Sequence, residues 1–317
     1  MKKLFTLGLT LLMLSTVPPA AAQEKLEPFV FAPQWMTQAQ FAGYYVAYEK
    51  GFYREEGLDV TIEHPTMTRS ALDRVLDKSC DATCLTLLQA MEMIDQGIEM
   101  VNILQTSMES ALVLVSRRER NPAEHRGARV STWRVGFGQL AECMSAEKSL
   151  NYDWIQAADG LNLFIAGAVD AMLAMSYNEM YQLLQTGLVQ SEQSIWRFSE
   201  NGYNIQEDGV YMIRDQYLKN PERAKRFARA SRRGWEWAAQ NPEAAYDIVM
   251  DYVRRDRIAT NPVLQKLMLD EILRLLVARD TGFREYRLRP EMVEEASNIL
   301  YRNGMLRRPV KMEELLP

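Results

Sequence analysis

A strand, a helix and a second strand follow one another within residues 28–62, and this pattern constrains the fold more than any other feature of the sequence. Residues 28–32 (PFVFA) alternate in the manner of a strand. Residues 40–50 carry aromatic side chains at helical spacing and are followed by Gly51, a typical C-terminal stop. Because residues 58–62 alternate like a half-buried strand, the segment predicts a βαβ unit.

Strands and helices continue to alternate in two series, separated by a polar stretch around Asn121 (RRERNPAEHRGA) that we interpret as a crossover. Alternation of this kind predicts an α/β fold with mainly parallel sheets. Further strands are predicted at residues 100–105, 111–116, 129–133, 152–156 and 171–176, and helices at residues 70–76, 85–96, 140–150, 161–167 and 179–185.

From residue 217 onward the pattern becomes helical. Asn-Pro-Glu occurs at residues 220–222 and 241–243, and each copy offers an N-cap, a proline at the first helical position and an early acidic residue. Asn261-Pro262 and Arg289-Pro290 predict two further helix starts. One face of the first of these helices is predicted to carry Phe227, Ser231, Trp235 and Ala238.

The first 22 residues have the layout of a secretory signal peptide. Two lysines precede an apolar run at residues 4–17, and three alanines at residues 20–22 form a small-residue cleavage site. The apolar run is short for a membrane-spanning helix. We therefore expect an exported, periplasmic protein. We expect no lipid anchor, since no cysteine follows the run.

Composition narrows the function classes. The 37 basic and 42 acidic residues leave a net negative charge, which argues against nucleic acid as a partner because phosphates require a basic surface. Three cysteines, Cys80, Cys84 and Cys143, do not make a disulfide framework, although one bridge is possible in an oxidising compartment. Cys80 and Cys84 with His64 match no usual metal-site spacing, so no metal site is predicted.

The only phosphate-type glycine pattern is Gly136-Phe-Gly138-Gln-Leu-Ala141, a GxGxxA that follows a predicted strand and opens a helix. A dinucleotide site is possible by pattern alone. A more general interpretation is that these glycines let backbone N–H groups approach a ligand at a helix N-terminus. No HExxH, paired CxxC or GxxxxGK[ST] motif is present, and no cofactor is predicted.

Three blocks of sequence resemble the solute-binding proteins related to the thiamine-pyrimidine biosynthesis proteins, in the group that includes sulfonate- and taurine-binding proteins. The first block is Trp35 followed by QFAGYYVAYEKGFYREEGLDVTI. The second is TWRVGFG at residues 132–138. The third is GAVDAMLAMSYNE at residues 167–179, followed by EDGVYM at residues 207–212. Their order and spacing match the family across most of the chain that follows residue 22.

The resemblance implies a two-lobed, type II periplasmic-binding-protein fold that closes over a small molecule, functions as a monomer and delivers its ligand to an ABC permease. Residues 24–115 and 210–317 would form lobe I, and residues 116–209 would form lobe II. The same fold could instead serve a membrane signalling receptor. Related proteins bind thiamine pyrimidine precursors, flavins or alkyl sulfonates, and the aromatic residues favour a planar ring.

Site residues are also implied by the resemblance. Trp35 follows the first predicted strand, at the sheet edge where α/β proteins bind ligands, and it would contact the ring together with Tyr44 or Tyr45. Asn178 could fix the ligand or cap the following helix, and Asp208 could be a contact or part of the hinge. The implied ligand-binding set is Trp35, Gln40, Tyr44, Tyr45, Trp133, Gly136, Phe137, Gly138, Tyr177, Asn178, Glu179 and Asp208.

Some members of the resembling group are enzymes that make the pyrimidine from bound pyridoxal phosphate. They carry a lysine four positions after the aspartate that matches Asp81, and a histidine eight positions after it. This chain has Leu85 and Gln89 at those positions, and the cysteine-rich segment of those enzymes is missing. We therefore predict a binding protein and no catalytic residues.

Overall fold

Two five-stranded sheets form the framework of the protein. The computed structural model describes residues 25–66, 68–133, 136–157 and 160–317, and the predicted signal peptide lies outside these residues. Within the described ranges, no helix combines the length and apolar character needed to cross a membrane.

The first sheet confirms the βαβ prediction, because β1 pairs in parallel with β2 and Glu27 lies opposite Leu58. Four of its strands run in one direction, whereas β10 runs antiparallel to both of its neighbours. The strand order is β2-β1-β3-β10-β4. The strands are β1 (Glu27–Ala32), β2 (Leu58–Ile62), β3 (Ala82–Thr86), β4 (Met100–Gln105) and β10 (Asp208–Ile213).

The second sheet has the same arrangement, with order β7-β6-β8-β5-β9 and with β5 as the strand that runs against the others. Both sheets are therefore mixed but mainly parallel, as predicted. The strands are β5 (Leu112–Ser116), β6 (Arg129–Trp133), β7 (Asp153–Ala157), β8 (Ala171–Met175) and β9 (Ile195–Arg197).

The chain passes between the sheets twice, first between β4 and β5 and later between β9 and β10. In each case the arriving strand is the one that runs antiparallel. The proposed range 24–115 for lobe I includes β5, a strand that belongs to the second sheet. We propose that each sheet with its helices forms one lobe, and that the lobe boundaries fall at about residues 106–111 and 206–208 rather than at residues 115 and 210.

Helices cover both sheets, and those of the C-terminal part pack mainly on the first. The ring of Phe227 stacks on Phe29 at 4.4 Å and on Tyr53 at 5.2 Å. Phe227, Ser231, Trp235 and Ala238, which were predicted to share one face of a single helix, are all buried. The helices are α1 (Ala42–Glu49), α2 (Phe52–Glu55), α3 (Ala71–Leu76), α4 (Leu87–Asp95), α5 (Gln139–Glu147), α6 (Gly160–Ile165), α7 (Glu179–Gln185), α8 (Arg214–Lys219), α9 (Pro221–Gln240), α10 (Pro242–Arg255), α11 (Pro262–Leu275), α12 (Pro290–Arg302) and α13 (Met312–Leu315).

The predicted helix at residues 85–96 is wrong at its start, because β3 extends to Thr86. A capping box formed by Thr86 and Gln89 begins α4 at this point. β3 is buried on both faces, so it lacks the alternation by which half-buried strands are recognised. The three-residue strand β9 was not predicted for a different reason, since it is too short to show a pattern.

All three cysteines are free and buried. The Cys84 thiol lies 3.7 Å from the Tyr44 hydroxyl, and Cys143 Sγ lies 3.6 Å from Met305 Sδ. These contacts place the two thiols in the packed interior. Among the residues that the structure describes, no group of three or more His, Cys, Asp or Glu side chains is placed to hold a metal ion.

Candidate functional site

A cavity lies between the two sheets, and aromatic side chains from both halves line it. Trp35 follows β1, Trp133 ends β6, and Tyr177 follows β8, so all three stand at carboxyl ends of strands. Phe137 lies 6.3 Å from Trp35 and 5.8 Å from Trp133, ring centre to ring centre, in edge-on geometry. Edge-on packing leaves aromatic faces available for stacking against a planar ligand.

His64 forms hydrogen bonds both to the loop that carries Trp35 and to α1. Its Nδ1 lies 2.7 Å from the Trp35 carbonyl oxygen and its Nε2 lies 2.8 Å from the Tyr45 hydroxyl. A carbonyl can only accept, so Nδ1 carries the proton, and in the neutral ring Nε2 accepts from Tyr45. Burial lowers the pKa of His64, which agrees with a neutral imidazole.

Three glutamines connect this loop to Asp208. Gln38 Nε2 donates to Gln40 Oε1 at 2.7 Å, and Gln40 Nε2 donates to Asp208 Oδ2 at 2.6 Å. Gln34 Nε2 donates to Asp208 Oδ1 at 2.8 Å. The buried Oε1 of Gln34 has no hydrogen-bond partner among the described residues, and Gln34 lines the cavity. The site therefore offers an acceptor to a ligand N–H or O–H group.

Glu179 supplies a second carboxylate on the side of the second sheet. Its Oε2 accepts from the Met175 backbone N–H at 3.0 Å. Burial raises the pKa of Glu179, whereas hydrogen bonds from Met175, Trp133 and Asn178 oppose this shift. The Asn178 side chain does not cap α7, because its Oδ1 accepts from Gln182 Nε2 at 2.9 Å.

Asp208 and its neighbour Glu207 line a second cavity, which shares Gln40 and Tyr177 with the first. Burial raises the pKa of Asp208, and the hydrogen bonds from Gln40 and Gln34 act against that shift. Burial likewise raises the pKa of Glu207, to about 7. Within the described part of the lining, the two cavities carry three carboxyl groups and no Lys or Arg side chain.

Eight of the twelve predicted site residues line these two cavities. Gly136 and Gly138 instead line a neighbouring cavity with Gln89 of α4, and a Cβ at position 136 would lie 2.4 Å from Gln89 Nε2. Gly136 therefore permits a close approach between segments that belong to different sheets. Lining the two cavities are Trp35, Gln40, Trp133, Phe137, Tyr177, Asn178, Glu179 and Asp208.

Tyr44 and Tyr45 do not reach the cavities, and here the sequence expectation is corrected. Both side chains are fully buried in the core beneath the cleft. The Tyr44 ring packs against Phe31 at 4.6 Å, and the Tyr45 ring stacks on Tyr252 at 4.3 Å. Because α1 turns their side chains toward the C-terminal helices, they support the cleft from below.

Eleven lining residues were not predicted: Gln34, Gln38, Met175, Glu207, Thr106, Ser107, Ala111, Trp235, Ile272, Leu275 and Leu276. For the first two a signal exists, since the segment PQWMTQAQ at residues 33–40 places three glutamines directly after a strand. Met175 ends a buried strand, and nothing in its sequence context separates it from a core residue.

The family model described as NMT1/THI5 like matches residues 38–245, which is more than half of the chain. The chain belongs to the NMT1/THI5-like family. Its matched range includes most of the residues that line the two cavities, from Gln38 to Trp235.

Three curated relatives of this NMT1/THI5-like protein are similar over most of its length. A formylaminopyrimidine-binding protein from Halalkalibacterium halodurans is 24% identical, covering 86% of this chain and 85% of the relative. The riboflavin-binding protein RibY from Chloroflexus aurantiacus is 23% identical, covering 86% and 84%. A 4-amino-5-hydroxymethyl-2-methylpyrimidine phosphate synthase from Aspergillus parasiticus is 21% identical, covering 76% and 74%.

Among solved structures, the periplasmic aliphatic sulphonate binding protein SsuA from Escherichia coli superposes with a TM-score of 0.65. It is 14% identical, and the match covers 92% of each chain. This similarity establishes that the NMT1/THI5-like protein has the periplasmic-binding-protein fold.

Proposed function

We propose that this chain is an extracytoplasmic solute-binding protein of an ABC importer, and that its ligand is a small planar heterocycle such as a thiamine pyrimidine precursor. One observation carries the proposal: Trp35, Trp133, Phe137 and Tyr177 surround a single cavity whose polar groups are carboxylates and amides. Aromatic faces stack on planar rings. Carboxylate and glutamine oxygens accept from ring or amino N–H groups.

The charge of the cleft separates the candidate ligands. The described lining carries the carboxyl groups of Glu179, Glu207 and Asp208 and no Lys or Arg, so it offers a buried sulfonate no counter-charge. The same carboxyl groups favour a neutral or cationic heterocycle with N–H donors. The pyrimidine-binding and riboflavin-binding relatives support a planar ring, whereas likeness to the sulphonate-binding structure concerns the fold.

We propose that the protein binds its ligand without catalysing a reaction. Leu85 lies buried in β3, where the resembling enzymes carry a lysine. Gln89 holds the start of α4, where those enzymes carry a histidine, and its Oε1 accepts from the Thr86 backbone N–H at 3.0 Å. The ligand would be captured by closure of the two lobes and delivered by the monomeric protein to an inner-membrane permease from the periplasm.

The test is a thermal-shift screen of the mature protein, followed by calorimetric titration. The probes are 4-amino-5-hydroxymethyl-2-methylpyrimidine, riboflavin and ethanesulfonate. A ligand at about a hundred times its dissociation constant should stabilise the protein by about 2.7 kcal/mol. We expect a heterocycle to bind, and we expect Trp35→Ala to raise its dissociation constant by about tenfold or more, given the stacking contribution of one aromatic residue.

The matched control is Trp237→Ala. Trp237 lies on α9 with Lys50 Nζ 4.2 Å above its ring and lines neither cavity. This variant should keep the wild-type affinity. Binding of ethanesulfonate alone would overturn the ligand class, and heterocycle binding that is unaffected by Trp35→Ala would overturn the site.

A further inference from the structure

The second cavity has a distinct chemistry and forms an inner chamber behind the aromatic cavity. It is lined by the two segments that pass between the sheets and by α9 and α11. Gln40 and Tyr177 line both spaces. A ring held between the aromatic side chains would therefore present one edge to this chamber.

The chamber has an unused hydrogen-bond donor. Trp235 lines it and is 1% exposed, and its indole N–H has no hydrogen-bond partner among the described residues. A buried donor without an acceptor costs about 1–3 kcal/mol. The Trp235 N–H thus points to an acceptor atom that the ligand supplies.

Asp208 provides the complementary acceptor. Each of its carboxylate oxygens takes one hydrogen bond, from Gln34 and from Gln40, and a carboxylate oxygen can accept two. Glu207 is committed elsewhere, since its oxygens accept from the Ser110 hydroxyl at 2.5 Å and the Ala111 N–H at 2.9 Å. Asp208 is therefore the carboxylate with capacity for a ligand.

The remaining wall is apolar. Ile272, Leu275 and Leu276 of the α11 region also line the chamber. This apolar wall disfavours a strongly hydrated group, because such a group would lose its hydration there. It fits the flat edge of a ring with small substituents. The Trp235 donor, the Asp208 acceptor and the apolar wall together match a ligand edge that carries both an acceptor and a donor.

We propose that the inner chamber recognises the amino-substituted edge of a nitrogen heterocycle, in which an exocyclic amino group donates to Asp208 and an adjacent ring nitrogen accepts from the Trp235 indole N–H. The inference rests on the proposed function and specifies its ligand class. Rings that carry a carbonyl oxygen in place of the amino group would turn an acceptor toward Asp208 and are disfavoured.

A matched pair of probes tests this assignment by calorimetric titration of the mature protein. 4-Amino-2-methylpyrimidine carries the amino group, and 2-methylpyrimidine lacks it. We expect the amino probe to bind at least about tenfold more tightly, because hydrogen bonds to charged groups exceed neutral ones. Asp208→Asn should reduce this ratio to about threefold or less, because a neutral amide replaces the charged acceptor.

Trp235→Phe keeps an aromatic ring and removes only the N–H. Both probes retain the ring nitrogen, so this variant should weaken both by about three- to tenfold and leave their ratio unchanged. Its melting temperature is measured in parallel, because the Trp235 ring also packs on Gly43. If the variant fails to fold, the probe ratio in the wild type and in Asp208→Asn still decides.

The outcomes separate the two proposals. Equal binding of both probes, with dependence on Trp35 retained, would overturn the inner-chamber assignment and leave the proposed function standing. Failure of every heterocycle to bind would overturn the proposed function. A preference for the amino probe that is as large in Asp208→Asn as in the wild type would also contradict the assignment, since another group would then recognise the amino substituent.

Discussion

Glu207 is a buried carboxyl group that joins the two segments running between the sheets. It lies on the returning segment, and it accepts hydrogen bonds from Ser110 and Ala111 on the outgoing one. The side chain has no ion-pair partner among the described residues, and burial raises its pKa from 4.5 to about 7. The folded protein therefore favours the protonated form of this group.

We predict that this group makes the stability of the protein depend on pH. Its contribution is fully present below the unfolded pKa of about 4.5 and is lost as pH rises through about 7. The Glu207→Gln variant has no titrating group at this position. The free energy of unfolding of the wild type, relative to that of the variant, should therefore fall by about 1–3 kcal/mol between pH 5 and pH 8. Urea denaturation at both pH values measures the difference.

Glu119→Gln is the control, because Glu119 is exposed and follows β5 on the surface. Its stability relative to wild type should be the same at both pH values. A constant free-energy gap between wild type and Glu207→Gln across this range would contradict the raised pKa.

Of the aromatic residues predicted near the site, Trp35 lines a cavity, whereas Tyr44 and Tyr45 are buried in the core. All three are aromatic and lie close together in the chain. Trp35 stands beyond the end of β1, whereas the tyrosines lie on α1. Residues such as Tyr252, about two hundred positions away in the chain, determine which face of α1 meets the C-terminal helices. The sequence around α1 therefore does not show which face that is.

At the scale of elements, the packing of α1 against α9 depends on two glycines. A Cβ at position 234 would lie 2.0 Å from the Gly43 carbonyl oxygen, and a Cβ at position 43 would lie 2.1 Å from the Trp235 ring. The backbones of α1 and α9 therefore lie very close together at these positions. Gly234 is in the interior of a helix, where propensity alone would favour alanine.

We predict that Gly234→Ala destabilises the protein by about 1–3 kcal/mol, because the added methyl group must displace the backbone of α1. Helix propensity by itself predicts the opposite sign, a gain of about 1 kcal/mol. Chemical denaturation measures the change. Lys225→Ala, on the exposed face of α9, should change the unfolding free energy by less than about 0.5 kcal/mol. A stabilised Gly234→Ala would contradict the close approach.

Helix starts were among the elements that sequence predicted well. Asn220 and Asn261 cap α9 and α11, and their side chains accept from Arg223 N at 3.1 Å and Val263 N at 2.9 Å. Asn241 has the same Asn-Pro-Glu context, yet its side chain donates to the Trp237 carbonyl oxygen at 3.0 Å. The proline fixes where α10 begins, and the preceding helix decides what the asparagine contacts.

At the scale of the whole molecule, Glu147 connects the second sheet to the C-terminal helices. It ends α5 and accepts from Arg302 Nε, Asn303 Nδ2 and the Tyr203 hydroxyl, each at 2.7 Å. Burial alone would raise the pKa of Glu147, but these hydrogen bonds lower it. Its ionised form therefore stabilises the docking of α12 against α5.

We predict that Glu147→Gln destabilises the protein by about 1–2 kcal/mol at pH 7, since the side chain is partly exposed and its ion pair is screened. The contribution is present above the unfolded pKa of 4.5 and is lost as pH falls through the lower folded pKa. Denaturation at pH 7 and pH 3 should therefore show the gap closing in acid. Glu294→Gln, on the exposed face of α12, should show no gap at either pH.

The sequence by itself determined the features that depend on neighbouring residues. Alternation and helical spacing gave the βαβ start and the α/β class, and proline with asparagine marked the C-terminal helix starts. The aromatic and glycine-containing blocks were sufficient to identify the family. These features are local because they reflect backbone preferences and the burial of one face of an element.

The tertiary structure alone decided what meets at the cleft. Asp208 accepts hydrogen bonds from Gln34 and Gln40, which are 174 and 168 positions away in the chain. Likewise, β5 enters the second sheet and β10 returns to the first, and the Trp235 N–H is left without a described partner in a cavity that Asp208 also lines. Such contacts depend on how distant elements pack, and the free energy that selects them comes from burial summed over the whole chain.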